Sequence, residues 1–214
     1  MLTKIGELEF KTKKKAMEYT KNLIKTLYEE EGEVKINKHH KDFNFFKNLI
    51  KRHPDYVDKK GVGIGSFIIC QNPLNKDSFH MNIKRNDKTF IDFSYRTCVT
   101  GLPKTHRAEL TSALRTSIEP QIMNFRSMSE LKCKLCGDKE GVIHVDHINP
   151  FDKIYRKFLI GREDIPKTFD SIHDCRRCFK EEDRPFEIDW FHYHKENAKF
   201  QILCRPCNLK KSNK

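Results

Sequence analysis

Cys133-Lys134-Leu135-Cys136-Gly137, His144-Val145-Asp146-His147-Ile148 and Leu203-Cys204-Arg205-Pro206-Cys207-Asn208 together decide how the second half of this chain folds. A Cys-x-x-Cys turn is a tight knuckle that offers two thiolates to one metal, and two knuckles complete a tetrahedral four-cysteine zinc site. Cys133, Cys136, Cys204 and Cys207 are therefore the expected ligands of a structural Zn²⁺. Between the knuckles stands Asp146-His147, a hard oxygen donor beside an imidazole that titrates near neutrality. Asn208 directly follows the last cysteine, so a zinc at that knuckle fixes where its amide points. The pattern predicts one metal that holds the fold and a second that takes part in chemistry.

Composition sets the frame for this stretch. The chain has 214 residues, enough for one or two domains with modest cores. A mean hydropathy of -0.74 and the lack of any apolar run near the length of a bilayer exclude a helical membrane span. The first residues, Met1 to Gly6, contain no apolar signal core. Six of the eight cysteines fall in Cys-x-x-Cys pairs, which favours zinc in a reducing compartment over a disulfide scaffold. A cytoplasmic protein is expected. The net charge of +12 is that of a protein with a polyanionic partner, although a lysine-rich background composition alone also produces it.

Outward from the knuckles, a helix is expected from about Arg107 to Arg126, with Leu110, Leu114, Ile118, Ile122 and Phe125 as its apolar stripe. Pro120 should kink or split it. Phe151, Ile154, Tyr155, Phe158 and Leu159 mark one face of a further helix that Gly161 ends. A polar stretch reaching Arg184 holds a third pair, Cys175 and Cys178. Either these bind a second zinc with His173, His192 or His194, or they lie in an insertion loop with free thiols. Ile188, Trp190, Phe191 and Tyr193 open another helix, and Phe200 to Leu203 form the strand that leads into the last knuckle.

The first hundred residues carry different signals. Ile5 to Phe10 suggests a short strand, and Thr12 caps a helix to about Glu30 with Ala16, Tyr19, Leu23 and Leu27 on one face. Asp42 caps a second helix, bearing Phe43, Phe46, Leu49 and Ile50, that Pro54 stops. Three strand patterns follow, around Ile64–Cys70, Phe79–Ile83 and Thr89–Ser94, with a turn at Asn72 to Asp77 between the first two. Gly61, Gly63 and Gly65 precede a strand rather than a helix, so they do not make a phosphate loop. His39, His40 and His53 suit surface or capping roles, and Cys70 and Cys98 suit core thiols. The fold class is α+β: two helices with an antiparallel meander over residues 1–98, a linker over 99–106, and a zinc-stabilised domain over 107–214.

The order knuckle, Asp146-His147, Asn197, knuckle-Asn208 resembles the HNH, or ββα-metal, endonucleases, and its Cys-x-x-Cys-Asn ending resembles phage endonuclease VII-type sites. The family often has His where this chain has Asn208. The resemblance implies that Asp146 and Asn208 hold a catalytic Mg²⁺ or Mn²⁺. It implies that His147 is the general base, and that Asn197 bonds across the loop to steady the His147 strand. A helix with Arg115, Ile118, Gln121 and Ile122 in these positions precedes the knuckle in phage-type members, and the Trp190-to-His194 segment is similar too. Phe45-Phe46 to His53-Pro54, Gly61-Val62-Gly63-Ile64 and Ile91 to Tyr95 resemble the DCL family, which implies association with nucleic acid.

These residue types suit phosphodiester hydrolysis. A scissile phosphate repels hydroxide, so a site must supply positive charge and a base that is neutral near pH 7. Arg115, Lys210 and Lys211 are candidate phosphate contacts, and His144 is either another or a packing residue. The expected partner is double-stranded DNA, and a homodimer is left open. Two rival readings are a zinc ribbon that only binds nucleic acid and an RNA-processing factor.

Overall fold

Gly6 turns the chain back almost at once. At φ 60° it adopts a left-handed backbone, and β1 (Thr3–Ile5) pairs antiparallel with β2 (Leu8–Phe10), so the one expected strand is a hairpin. The computed structural model describes residues 2–72, 75–173 and 176–212. They form two units, Met1–Thr105 and a second built from His106–Ile172 and Arg176–Lys214.

In the first unit, α1 (Lys13–Glu31) starts where Thr12 Oγ1 accepts from the backbone N–H of Lys15 at 3.2 Å. Its buried face is Ala16, Thr20, Ile24 and Leu27, while Tyr19 stays exposed. Thr20 can go inside because its hydroxyl donates to the Ala16 carbonyl at 2.8 Å. The chain continues through β3 (Val34–Asn37), α2 (Phe43–Ile50), α3 (Tyr56–Lys60), β4 (Ile64–Asn72), β5 (Asn75–Arg85), β6 (Phe90–Phe93) and α4 (Tyr95–Thr100). The four strands form one antiparallel sheet in the order β3-β4-β5-β6. Its core gathers Phe46, Leu49, Phe67, Ile69 and Ile83, all without solvent contact. β3 had no place in the sequence reading, since four residues give too short an alternation to stand out. The expected turn over Asn72 to Asp77 includes residues 73 and 74, which lie outside the described residues. His40 and His53 take capping roles: each Nδ1 accepts a backbone N–H two residues ahead, from Asp42 and Asp55, at 3.1 Å. Cys98 is buried and Cys70 half-buried.

In the second unit the expected long helix is two. α5 (His106–Ser117) ends before Ile118, and Pro120 sits in the first turn of α6 (Glu119–Met128), where its missing N–H is harmless. Then come β7 (Ile143–His147), α7 (Phe151–Leu159), β8 (Asp170–His173), β9 (Arg176–Cys178), a 3-10 turn at Glu181–Asp183, α8 (Arg184–Asn197), β10 (Phe200–Cys204) and α9 (Arg205–Ser212). Two cores form. One packs Leu110, Leu114 and Ile118 against Phe151, Ile154, Phe158 and the fully enclosed Trp190, whose indole donates to the Leu114 carbonyl at 2.9 Å. The other surrounds Cys133, Ile143, Ile202, Leu203 and Cys204. The polar stretch before Arg184 holds a hairpin, β8 with β9. Arg177 fastens it to α5 by a 2.8 Å bond to Glu109 and a backbone bond to Ser112. The architecture is α+β, with antiparallel pairing in the β1–β2, β3–β4–β5–β6 and β7–β10 sheets.

Candidate metal centre and adjoining histidine site

β7 and β10 run antiparallel with Ile143 opposite Cys204, Asp146 opposite Gln201 and His147 opposite Phe200. This register carries the second knuckle at one end of the pair and Asp146-His147 at the other. The first knuckle is sewn to the same strands. Lys134 N–H donates to the Ile202 carbonyl at 2.8 Å, Gly137 N–H closes the turn onto Cys133 at 2.9 Å, and Arg205 N–H reaches the Val142 carbonyl at 2.9 Å. Gly137 needs its φ of 77° for that turn.

The ligating atoms of Cys133, Cys136, Cys204 and Cys207 consequently lie within 4.8 Å of one another. Cys136 Sγ and Cys204 Sγ are 3.5 Å apart. That is far beyond the roughly 2.05 Å of a disulfide. It is close to the roughly 3.8 Å that separates ligands of a tetrahedral zinc with bonds of about 2.3 Å. Burial pushes the Cys133 thiol up, but backbone N–H groups of Cys204, Cys136 and Leu135 outweigh it and bring it down to about 6. Hydrogen bonding to the Cys204 thiol, then to Cys136, pushes Cys207 up to about 12. Four thiolates this close repel one another until a cation joins them, and the donor set is that of a metal such as zinc.

At the other end of the strand pair, Asp146 Oδ2 accepts from Gln201 Nε2 and from Lys211 Nζ, both at 2.7 Å. The Lys211 ammonium also touches the backbone carbonyls of His147 and, at 3.1 Å, Ile148. Lys211, expected as a phosphate contact, thus rests on the carboxylate. Asn208 lies three residues before Lys211 and so shares its face of α9, half-buried. Lys210 is exposed. His144 projects from the same face of β7 as Asp146, opposite Leu203.

His147 is enclosed by aromatic rings. Phe200 lies 4.9 Å away and Phe151 5.5 Å, centroid to centroid. Its Nε2 is 3.0 Å from Nε2 of the fully buried His194, whose Nδ1 is 2.8 Å from Gln121 Oε1. Gln121 Nε2 in turn donates to the Phe191 carbonyl at 2.8 Å. Burial, then the charges of Arg115 and Lys211, lower His147 to about 4, with Asp146 opposing. Burial and the His147 ring lower His194 to about 4. Both shifts favour the neutral imidazole at pH 7.

Asn197 differs from expectation. Its Nδ2 donates to the Tyr193 carbonyl of its own helix at 2.8 Å, a local bond within the last turn of α8. The tie to the His147 strand is made by backbone instead, Ile148 N–H to the Lys199 carbonyl at 2.7 Å. Arg115 stacks its guanidinium 4.0 Å from the centre of the Phe151 ring. His194 had been a candidate second-zinc ligand. Its two ring nitrogens face Gln121 and His147. Cys175 lies outside the described residues. The His194–Gln121 pairing was not read from sequence, although both residues stood in the segments that resemble phage-type enzymes.

Three comparisons bear on the chain. A family model described as a protein of unknown function, DUF3223, matches residues 21–99, within the first unit. Over 92 residues the chain is 32% identical to DNA-directed RNA polymerase IV subunit 1 of Arabidopsis thaliana, a span of 43% of this chain and 5% of that subunit. The solution NMR structure of an uncharacterised protein from Rhodospirillum rubrum shares 25% identity at a TM-score of 0.38, covering 44% of this chain and 85% of that one. No helix among the described residues is long and apolar enough to cross a membrane.

Proposed function

We propose that the second unit is a metal-dependent endonuclease of the ββα-metal type that hydrolyses phosphodiester bonds in DNA. One observation supports the reading: beside a four-cysteine cluster, an antiparallel strand pair and α9 bring Asp146, His147 and Lys211 together at one end of β7. The Lys211 ammonium serves as a stand-in for a metal, because a carboxylate and two backbone carbonyls converge on it. Those hard oxygens fit Mg²⁺ or Mn²⁺. Asp146 and Asn208 would hold that ion, and when bound it would neutralise charge on the phosphate and the leaving oxygen.

The chain's own residues do the rest. His147 accepts a proton from the attacking water, which demands a neutral ring, and its burial among Phe151 and Phe200 supplies that condition. Exposed Lys210 and the Arg115 guanidinium are positive groups for flanking phosphates. The first unit contributes to substrate binding. Its support is the net charge of +12 and the similarity of part of the chain to a polymerase subunit.

Plasmid cleavage in Mg²⁺ tests the reading. Loss of a general base costs about 10²–10⁴ in rate, so His147→Ala should remain folded, bind DNA like the parent and cleave at a small fraction of its rate. Asp146→Ala should lose cleavage through metal affinity, with partial rescue at higher Mg²⁺. A His147→Ala protein that cleaves at the parental rate refutes the assignment of the base.

A further inference from the structure

With both rings uncharged, the hydrogen bonds behind His147 admit only one placement of protons. Gln121 Nε2 must face the Phe191 carbonyl, which can only accept, so Gln121 Oε1 faces His194. An oxygen 2.8 Å from Nδ1 requires a proton on Nδ1 of His194. Neutral His194 then has a lone pair on Nε2. His147 Nε2, 3.0 Å away, must supply the hydrogen of that bond. The lone pair of His147 is thereby confined to Nδ1. Reversing any step sets two lone pairs or two protons against each other in a buried place.

We propose that Gln121 and His194 are positioning residues that hold His147 in its Nε2–H tautomer, making Nδ1 the atom that takes the proton from water. The use of Nδ1 in cleavage rests on the nuclease reading; the proton arrangement does not. In the reaction the water oxygen bonds to phosphorus, its proton passes to Nδ1, the bond from phosphorus to the leaving oxygen breaks, and solvent protonates that oxygen. His147 becomes an imidazolium that still donates from Nε2 to His194, so nothing behind the ring has to rearrange. The polarised series His147, His194, Gln121 spreads the new charge away from Asp146. Trp190, 5.2 Å from His194 between ring centroids, and Phe151 keep water from competing for these bonds.

Long-range ¹H–¹⁵N spectra of the zinc-loaded full chain with labelled histidine report tautomers directly. At pH 7 the parent should show His147 as Nε2–H and His194 as Nδ1–H. Gln121→Leu should keep its zinc content and give His147 as a mixture of tautomers. Cleavage should fall about tenfold or more, within the range for impaired base catalysis. An Nδ1–H pattern for His147 in the parent, which needs no variant, overturns the proposal. So does a Gln121→Leu protein that keeps the parental pattern. The predicted pattern in a parent that cleaves no DNA upholds the proton arrangement and overturns the nuclease reading.

Discussion

On the nuclease reading, Lys211 and a divalent ion would compete for one carboxylate. The pair with Asp146 is half-buried, with 30% and 14% of the two side chains exposed, so it is only partly screened by water. Such a pair contributes about 1 kcal/mol. Lys211→Met should therefore tighten Mn²⁺ binding roughly fivefold. Titration calorimetry measures this, and unchanged or weaker Mn²⁺ affinity would separate the Lys211 contact from the metal position. His147 yields a second expectation. Its folded pKa of about 4 lies below the ordinary 6.5, so protonation sets in only as pH falls towards 4 and the neutral base persists above. A cation on Asp146 pushes the same way. Single-turnover cleavage should thus show no loss of base down to about pH 5. An acid limb centred near 6.5 would mean that His147 titrates as though exposed.

At the scale of elements, the four-cysteine cluster and the Trp190 core are separate supports. A structural zinc contributes on the order of 10 kcal/mol in small domains. Cys133→Ser should release the first knuckle from β10. In hydrogen exchange, β7, β10 and α9 should lose protection while the first unit retains its own. Protection of β7 that survives in Cys133→Ser, or after metal chelation, would show that the cluster does not carry these strands. The contrast between α7 and the β8–β9 hairpin explains what the sequence could disclose. Phe151, Ile154, Tyr155 and Phe158 repeat at helical spacing and are buried as that spacing implies. The hairpin is fixed by an ion pair from Arg177 to Glu109, 68 residues earlier, which leaves no local period to find. The same applies within the site. The knuckles and Asp146-His147 are short local patterns, whereas His194 meets His147 across 47 residues and Gln121 across 73. Asn197 failed as a cross-loop tie because a nearby helix carbonyl satisfied its amide first.

For the whole molecule, charge is the organising quantity. With a net charge of +12, binding to duplex DNA should weaken steeply as salt rises, since each neutralised phosphate releases counterion. Removal of residues 1–98 should flatten that dependence and weaken binding more than it slows the chemical step. Fluorescence anisotropy over a salt series gives both, and a truncated protein that binds and cleaves like the full chain would leave the first unit without this role. The metal cluster has one more consequence, and it concerns time rather than energy. Its ligands come from the two ends of a span running from Cys133 to Cys207. A ribosome makes Cys133 and Cys136 long before Cys204 and Cys207, so a growing chain holds half a cage with no lid. Throughout that interval α7 and α8 can already pack on α5, made before them, whereas β7 waits for β10, its partner strand. The last knuckle to be synthesised therefore acts as the signal that the unit is complete.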